Sequence, residues 1–193
     1  MNTAQPIRDV KQLEELKGYY RSVSPQPRNY LLIIMGLNTA LRISDELSLK
    51  WKDVYDFKRN DYKKHINLVE HKTGKVTQIY LNAHIQAALE EYKNTLSEIY
   101  PEQYLFFSQR VKSEQINRVQ AFRIIKKAAD YCHIEGVISC HSLRKTFGYH
   151  AWKQGFSPAL LMNIYNHSSF DITKRYLGIE QDDKDLVYKT VLL

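Results

Sequence analysis

Little in this sequence could hold a fold together by covalent or metal cross-links. Its 193 residues include two cysteines, Cys132 and Cys140, with no histidine at metal-ligand spacing beside them. A disulfide framework and a cysteine-based zinc site are therefore excluded. Seven glycines and five prolines are too few to break up an apolar content of 44%, which excludes an intrinsically disordered chain. Long hydrophobic runs are also missing. The longest, Tyr30 to Leu37, falls well short of the roughly 20 residues a bilayer span needs. Arg8, Asp9 and Lys11 precede any apolar stretch, unlike a secretory signal, so a cytoplasmic protein with no membrane contact is expected. Acidic residues are outnumbered, 21 against 28 basic ones, for a net charge of +7. None of them forms a cluster with metal-ligand character, so neither a metal nor a cofactor is expected and a metal-dependent nuclease is disfavoured. The basic excess is dispersed in pairs such as Lys50 and Lys52, which by itself suits a solvated surface as well as a polyanion-binding face.

What the sequence does have is helical periodicity, interrupted once. Val10, Leu13, Leu16 and Tyr20 predict an amphipathic helix over 9–22, and Ser24-Pro25-Gln26-Pro27 ends it. A more buried helix is expected over 28–38. Ser44 is read as the N-cap of a short helix ending near Trp51, with Asp45 and Glu46 in its first turn. Residues 65–69 and 76–81 alternate like strands, with Lys72-Thr73-Gly74-Lys75 as the turn between them. Asn82 caps a predicted helix over 83–99, stopped by Pro101, and Leu105-Phe106-Phe107 reads as a short buried strand or loop. A helix over 114–134 would place Val119, Phe122, Ile125, Ala129 and Cys132 on one face. Shorter helices follow near 141–154, 158–165 and 170–178, the second with Ser157 as N-cap and Pro158 at the first helical position. Residues 182–193 form a last amphipathic candidate. The expected class is mostly α with a small antiparallel β-sheet.

The residues suited to chemistry are individually unremarkable. His141 and Arg144 stand one helical turn apart, a common arrangement. His167 and Tyr176 are nine residues apart, but so are His71 and Tyr80, so that spacing alone decides nothing. Tyrosine, with 14 copies, is usually a packing residue. The order is more informative. The chain carries Leu41-Arg42-Ile43-Ser44-Asp45, then Lys72-Thr73-Gly74-Lys75, then His141-Ser142-Leu143-Arg144, then Asn166-His167, and finally Thr173-Lys174-Arg175-Tyr176.

This series resembles the tyrosine recombinases, the phage-integrase family, over about residues 28–180. The resemblance implies a DNA breaking–rejoining fold and a site-specific recombinase or integrase, as found on mobile genetic elements. Its catalytic set would be Arg42, Lys72, His141, Arg144, His167 and Tyr176, with Ser44 and Asp45 supporting the arginines. The chemistry of these residue types agrees. Two guanidiniums can hold the non-bridging oxygens of a phosphodiester and stabilise the charge that builds there. A phenol with a reference pKa of about 10 needs a base, and His141 suits that role. Lys72 is the expected donor to the leaving 5′-oxygen, with Lys75 as its local rival. His167 would hydrogen-bond a phosphate oxygen.

Double-stranded DNA is the expected partner, with Lys50, Lys52, Lys75, Lys112, Arg118, Arg123 and Lys145 as backbone contacts. Residues 1–27 are read as an N-terminal segment with the first helix, 28–180 as the catalytic domain and 181–193 as a tail helix. The helical core-binding domain that family members carry ahead of the catalytic one is expected to be absent. The tail could dock on its own core or associate with a second copy on DNA. Two other readings remain open: a non-catalytic DNA-binding module of the same fold, and a type IB-like topoisomerase.

Overall fold

A computed structural model of the protein describes residues 4–111 and 113–192. Helix α1 (Val10–Gly18) runs into a π turn at Tyr19–Val23 and is followed by α2 (Pro27–Asn38), α3 (Ile43–Leu47) and α4 (Trp51–Val54). Two antiparallel ribbons come next, β1 (Tyr55–Asp56) with β2 (Asp61–Tyr62), and β3 (His65–Val69) with β4 (Val76–Tyr80). The rest is helical: α5 (Ala83–Lys93), α6 (Arg118–Tyr131), α7 (Cys140–Lys153), α8 (Pro158–Tyr165), α9 (Phe170–Leu177) and α10 (Ile179–Thr190). The class is the expected one, mostly helical with small antiparallel sheets.

Helix α2 is the hub. Pro27 opens it, where a missing N–H costs nothing, and residues 31–37 are buried in unbroken succession. A helix apolar all round has to be surrounded, and α2 packs against α1, α5 and α7. Gly36 sets its approach to α7, because a Cβ there would lie 2.7 Å from Leu143 Cδ1. At the other end of α7, a Cβ on Gly148 would lie 2.5 Å from the Tyr165 hydroxyl and 2.6 Å from Leu177 Cδ2. Glycine at these two positions lets α7 come close enough to touch α2, α8 and α9. The last two pack with Ala40, Tyr149, Leu161, Tyr165, Leu177 and Ile179 into an apolar cluster of their own. The N-terminal segment crosses α7, with Ile7 buried and its N–H donating to Thr146 Oγ1 at 2.9 Å.

Several expected boundaries move for local reasons. Arg42, not Ser44, is the N-cap residue of α3, and Ser44 lies within its first turn. That helix ends at Leu47, where the Ser48 hydroxyl donates to the Asp45 carbonyl, and Trp51 starts a separate short helix. Helix α5 ends at Lys93, not 99, because Asn94 takes the C-cap and the Thr95 hydroxyl turns back to the Tyr92 carbonyl at 2.7 Å. Helix α6 begins at Arg118, where Asn117 and Gln120 form a reciprocal capping box. Its buried face is Ala121, Ile125, Ala128 and Ala129, whereas Val119 and Phe122 are exposed. Small alanines, not the larger apolar residues, let this helix lie close to the core. The last helix starts at Ile179, directly after Gly178. The ribbon at 55–62 gave no periodic signal because each of its strands has two residues.

Candidate active site

The first arginine enters the site at a helix boundary. Arg42 has extended backbone geometry at the N-cap of α3, and its Nη1 donates to Glu70 Oε2 at 2.5 Å. Glu70 is buried at the end of β3, in the turn toward Lys72. Its carboxylate also accepts from Thr73 Oγ1 at 2.9 Å, Thr77 Oγ1 at 3.1 Å and Asn166 Nδ2 at 2.9 Å. Burial pushes the Glu70 carboxyl up. The Thr73 and Arg42 hydrogen bonds, the Arg42 charge and the Thr77 hydroxyl outweigh that and hold it below the ordinary carboxylate value. Asp45, fully buried one turn into α3, accepts from the His71 N–H at 2.9 Å and lies 2.6 Å from His71 Nδ1. Its hydrogen bonds therefore go to the hairpin and not to an arginine. Lys72 is exposed at the hairpin tip, between two residues that are each held by a buried carboxylate.

The second arginine comes from the opposite side. Arg144 is 4% exposed on α7, with its guanidinium carbon 4.7 Å from the centroid of the Tyr165 ring. Burial lowers its pKa, while Tyr176 and Tyr165 act in the opposite sense. Tyr176, near the end of α9, packs its ring 5.4 Å from Tyr165 and 5.3 Å from His167, edge-on to the imidazole. His167 in turn stacks on Tyr165 and pairs through Nδ1 with Thr173 Oγ1 at 3.1 Å. Burial raises the Tyr176 phenol, and the Arg144 charge, a hydrogen bond from Arg144 and the Arg42 charge pull it back. Its hydroxyl therefore lies within reach of Arg144 in the same chain.

Both histidines are poor proton holders here. His141, on the first turn of α7, is lowered by partial burial of its ring and then by Arg118, Arg144, Lys145 and Arg42. His167 is lowered by burial, then by Arg144, Arg42 and Lys72. Lys72, though solvated, thus lies near enough to the second histidine to act on it. Cations surround a space that suits an anion.

Arg42, Lys72, His141, Arg144, His167 and Tyr176 converge from five separate parts of the chain. The expected DNA contacts are divided between the site's edge and other parts of the surface. Lys50 and Lys52 both pair with Glu102, at 2.8 and 2.6 Å. Lys145 donates to the Ala4 carbonyl at 2.7 Å and holds its ammonium 5.0 Å from the Tyr176 ring centroid. Lys75 and Arg123 are exposed, and Lys112 lies outside the described residues. Arg118 lines a recess beside His141 together with Val119, Phe122, Ile43 and Cys140. Sequence reasoning missed Glu70 and Tyr165. A lone carboxylate at a strand end and one tyrosine among many carry no pattern.

The sequence model of the phage integrase family matches residues 8–182. The chain belongs to that family. The family assignment covers every residue of the converged site. The chain is 40% identical over 189 residues to the probable integrase/recombinase YoeC of Bacillus subtilis (strain 168), covering 98% of this chain and 97% of that protein. Among solved structures, XerA recombinase superposes with a TM-score of 0.74 at 22% identity, over 97% of this chain and 65% of that one. XerH site-specific recombinase, bound to its palindromic difH substrate in a post-cleavage complex, gives 0.73 at 19% identity, over 98% and 54%. This phage integrase family member thus spans nearly all of YoeC but between half and two-thirds of those two recombinases. It shares their fold. Among the described residues, no helix is long and apolar enough to cross a membrane.

Proposed function

We propose that the protein cleaves and rejoins double-stranded DNA through a covalent link between Tyr176 and a 3′-phosphate. The observation that carries this reading is the Tyr176 ring packed against His167 and Tyr165, with the Arg144 guanidinium over the face of that same Tyr165 ring. Arg42 and Arg144 would grip the non-bridging oxygens of the scissile phosphate and stabilise the charge that grows on them. The phenol oxygen attacks phosphorus, and its proton passes to neutral His141. The bond from phosphorus to the 5′-oxygen breaks, and Lys72 protonates the departing oxygen. His167 hydrogen-bonds a phosphate oxygen. One phosphoester replaces another, so rejoining is the same step in reverse and needs neither ATP nor a metal. Arg118 and Arg123 on α6 and Lys75 on the hairpin would contact the duplex backbone. The exposed Val187, Tyr188, Val191 and Leu192 leave the tail free to bury apolar surface on a second copy assembled on DNA.

The test is a duplex carrying a 5′-bridging phosphorothiolate, incubated without divalent metal and resolved on a denaturing gel. The wild-type chain is expected to give a covalent adduct that Tyr176→Phe abolishes. Arg42→Ala and Arg144→Ala should lose cleavage with much less loss of DNA binding. An adduct that persists in Tyr176→Phe reassigns the nucleophile, and no adduct from the wild-type chain refutes the reading.

A further inference from the structure

The site contains a residue to which the proposed chemistry gives no part. Glu70 is a 3% exposed carboxylate that receives hydrogen bonds from four side chains on three separate stretches of chain. A carboxylate has about four acceptor positions, so these donors saturate it. One donor is Arg42. Two, Thr73 and Thr77, belong to the hairpin turn and to β4. The fourth is Asn166, a left-handed residue that closes α8 and immediately precedes His167. An unpaired charge buried this deeply would be strongly unfavourable, so the four donors and the carboxylate depend on one another.

Resting on the phosphoryl-transfer reading above, we propose that Glu70 is the positioning residue that fixes the Lys72 hairpin in register with Arg42 and the His167 loop. Lys72 is exposed, and among the described residues no side-chain hydrogen bond or ion pair anchors it. Its position comes from its neighbours: His71 is tied to Asp45, and Thr73 to Glu70. Glu70 is the link that runs on to Arg42, so the proton donor and the phosphate clamp sit on one carboxylate. With Nη1 engaged by Glu70, the other guanidinium nitrogens of Arg42 would be the ones to meet the phosphate. Without that link the hairpin would still form, because the β3–β4 ladder pairs His65 with Tyr80 through Val69 with Val76 independently. Its tip would no longer be held over the site.

Single-turnover cleavage of two duplexes tests this, one with an ordinary phosphodiester and one with a 5′-bridging phosphorothiolate whose leaving sulfur needs no proton. Glu70→Ala should slow the ordinary duplex at least tenfold, and the phosphorothiolate should recover a large part of that loss. Thr73→Val, which keeps the side-chain shape and removes only the hydroxyl at the turn, should show the same pattern more weakly. It decides the matter if Glu70→Ala fails to fold. Equal losses on both substrates, or wild-type rates on the ordinary duplex in Thr73→Val and any folded Glu70→Ala, overturn the proposal. A wild-type chain that forms no adduct with either duplex instead overturns the reading on which it rests.

Discussion

The Arg144 guanidinium lies over the face of the Tyr165 ring, and the Tyr165 hydroxyl donates to the carbonyl oxygen of that same arginine at 2.6 Å. Tyr165 is fully buried and also touches the rings of His167 and Tyr176. One side chain therefore supports three groups of the site. Tyr165→Phe keeps the ring and removes one hydrogen bond to a carbonyl that also accepts within α7, which should cost about 0.5–1.5 kcal/mol of stability. Its adduct formation should stay within a few-fold of wild type. Tyr165→Leu removes the aromatic face, and with it a cation–π contact of about 2 kcal/mol in a desolvated setting. Adduct formation should then fall at least tenfold. Urea unfolding and single-turnover assays on the two variants separate the hydroxyl from the ring.

With His141 as the proposed base, its depressed pKa predicts a pH signature for the reaction. A base must be neutral to accept the Tyr176 proton, so cleavage falls as pH drops through the imidazole pKa. Partial burial and the nearby cations put that pKa below the ordinary 6.5. The acid limb of cleavage at subsaturating DNA, which reports the free enzyme, should therefore lie below pH 6.5. Arg118→Gln removes one cation, makes the protonated imidazole easier to form, and should move that limb to higher pH. A limb that stays in place would show that Arg118 does not act on the base.

Glu46 points to a second effect, on stability. It is buried, its Oε1 has no hydrogen-bond partner among the described residues, and burial raises its pKa well above the ordinary 4.5. The folded state thus holds a proton that the unfolded chain releases above about pH 4.5, so this residue's contribution falls as pH rises. Glu46→Leu removes the stranded oxygen and should raise the melting temperature. Its advantage over wild type should be small near pH 4 and larger near pH 8. Thermal unfolding of both proteins across that range checks the sign.

Much of this site was legible in the sequence because the proposed chemistry needs rare residue types in a fixed order. Arg42, His141, Arg144, His167 and Tyr176 converge as that order implies. The helix that carries Tyr176 starts at the cap Ser169, and the helix that leads into His167 starts at Ser157, each accepting from a first-turn N–H. What could not be read depends on three-dimensional packing. Val119 and Phe122 have the right period for a core face, yet α6 turns alanines inward and leaves those two beside His141. Glu70 is a charged residue at a strand end, where a solvated carboxylate is the ordinary outcome. Only the approach of Arg42, the hairpin and the α8 terminus makes it a buried hub.

The segment that carries Tyr176 ends on a glycine with little room to change. Gly178 closes α9 at φ +72°, two residues after Tyr176, and α10 starts at the next residue. Arg8, from the N-terminal segment, donates Nη2 to the Gly178 carbonyl at 2.9 Å. A Cβ on Gly178 would lie 3.1 Å from that same Nη2. Gly178→Ala therefore meets two penalties, about 1–2 kcal/mol for the left-handed backbone and a further cost for displacing Arg8. Arg8→Ala relieves the second penalty but gives up the hydrogen bond, so the double variant should be less destabilised than the two single losses added together. Because the joint directly follows α9, Gly178→Ala should also slow adduct formation at Tyr176 while leaving DNA binding near wild type. Strict additivity in a double-mutant cycle of unfolding free energies would show that Arg8 and this turn do not act on each other.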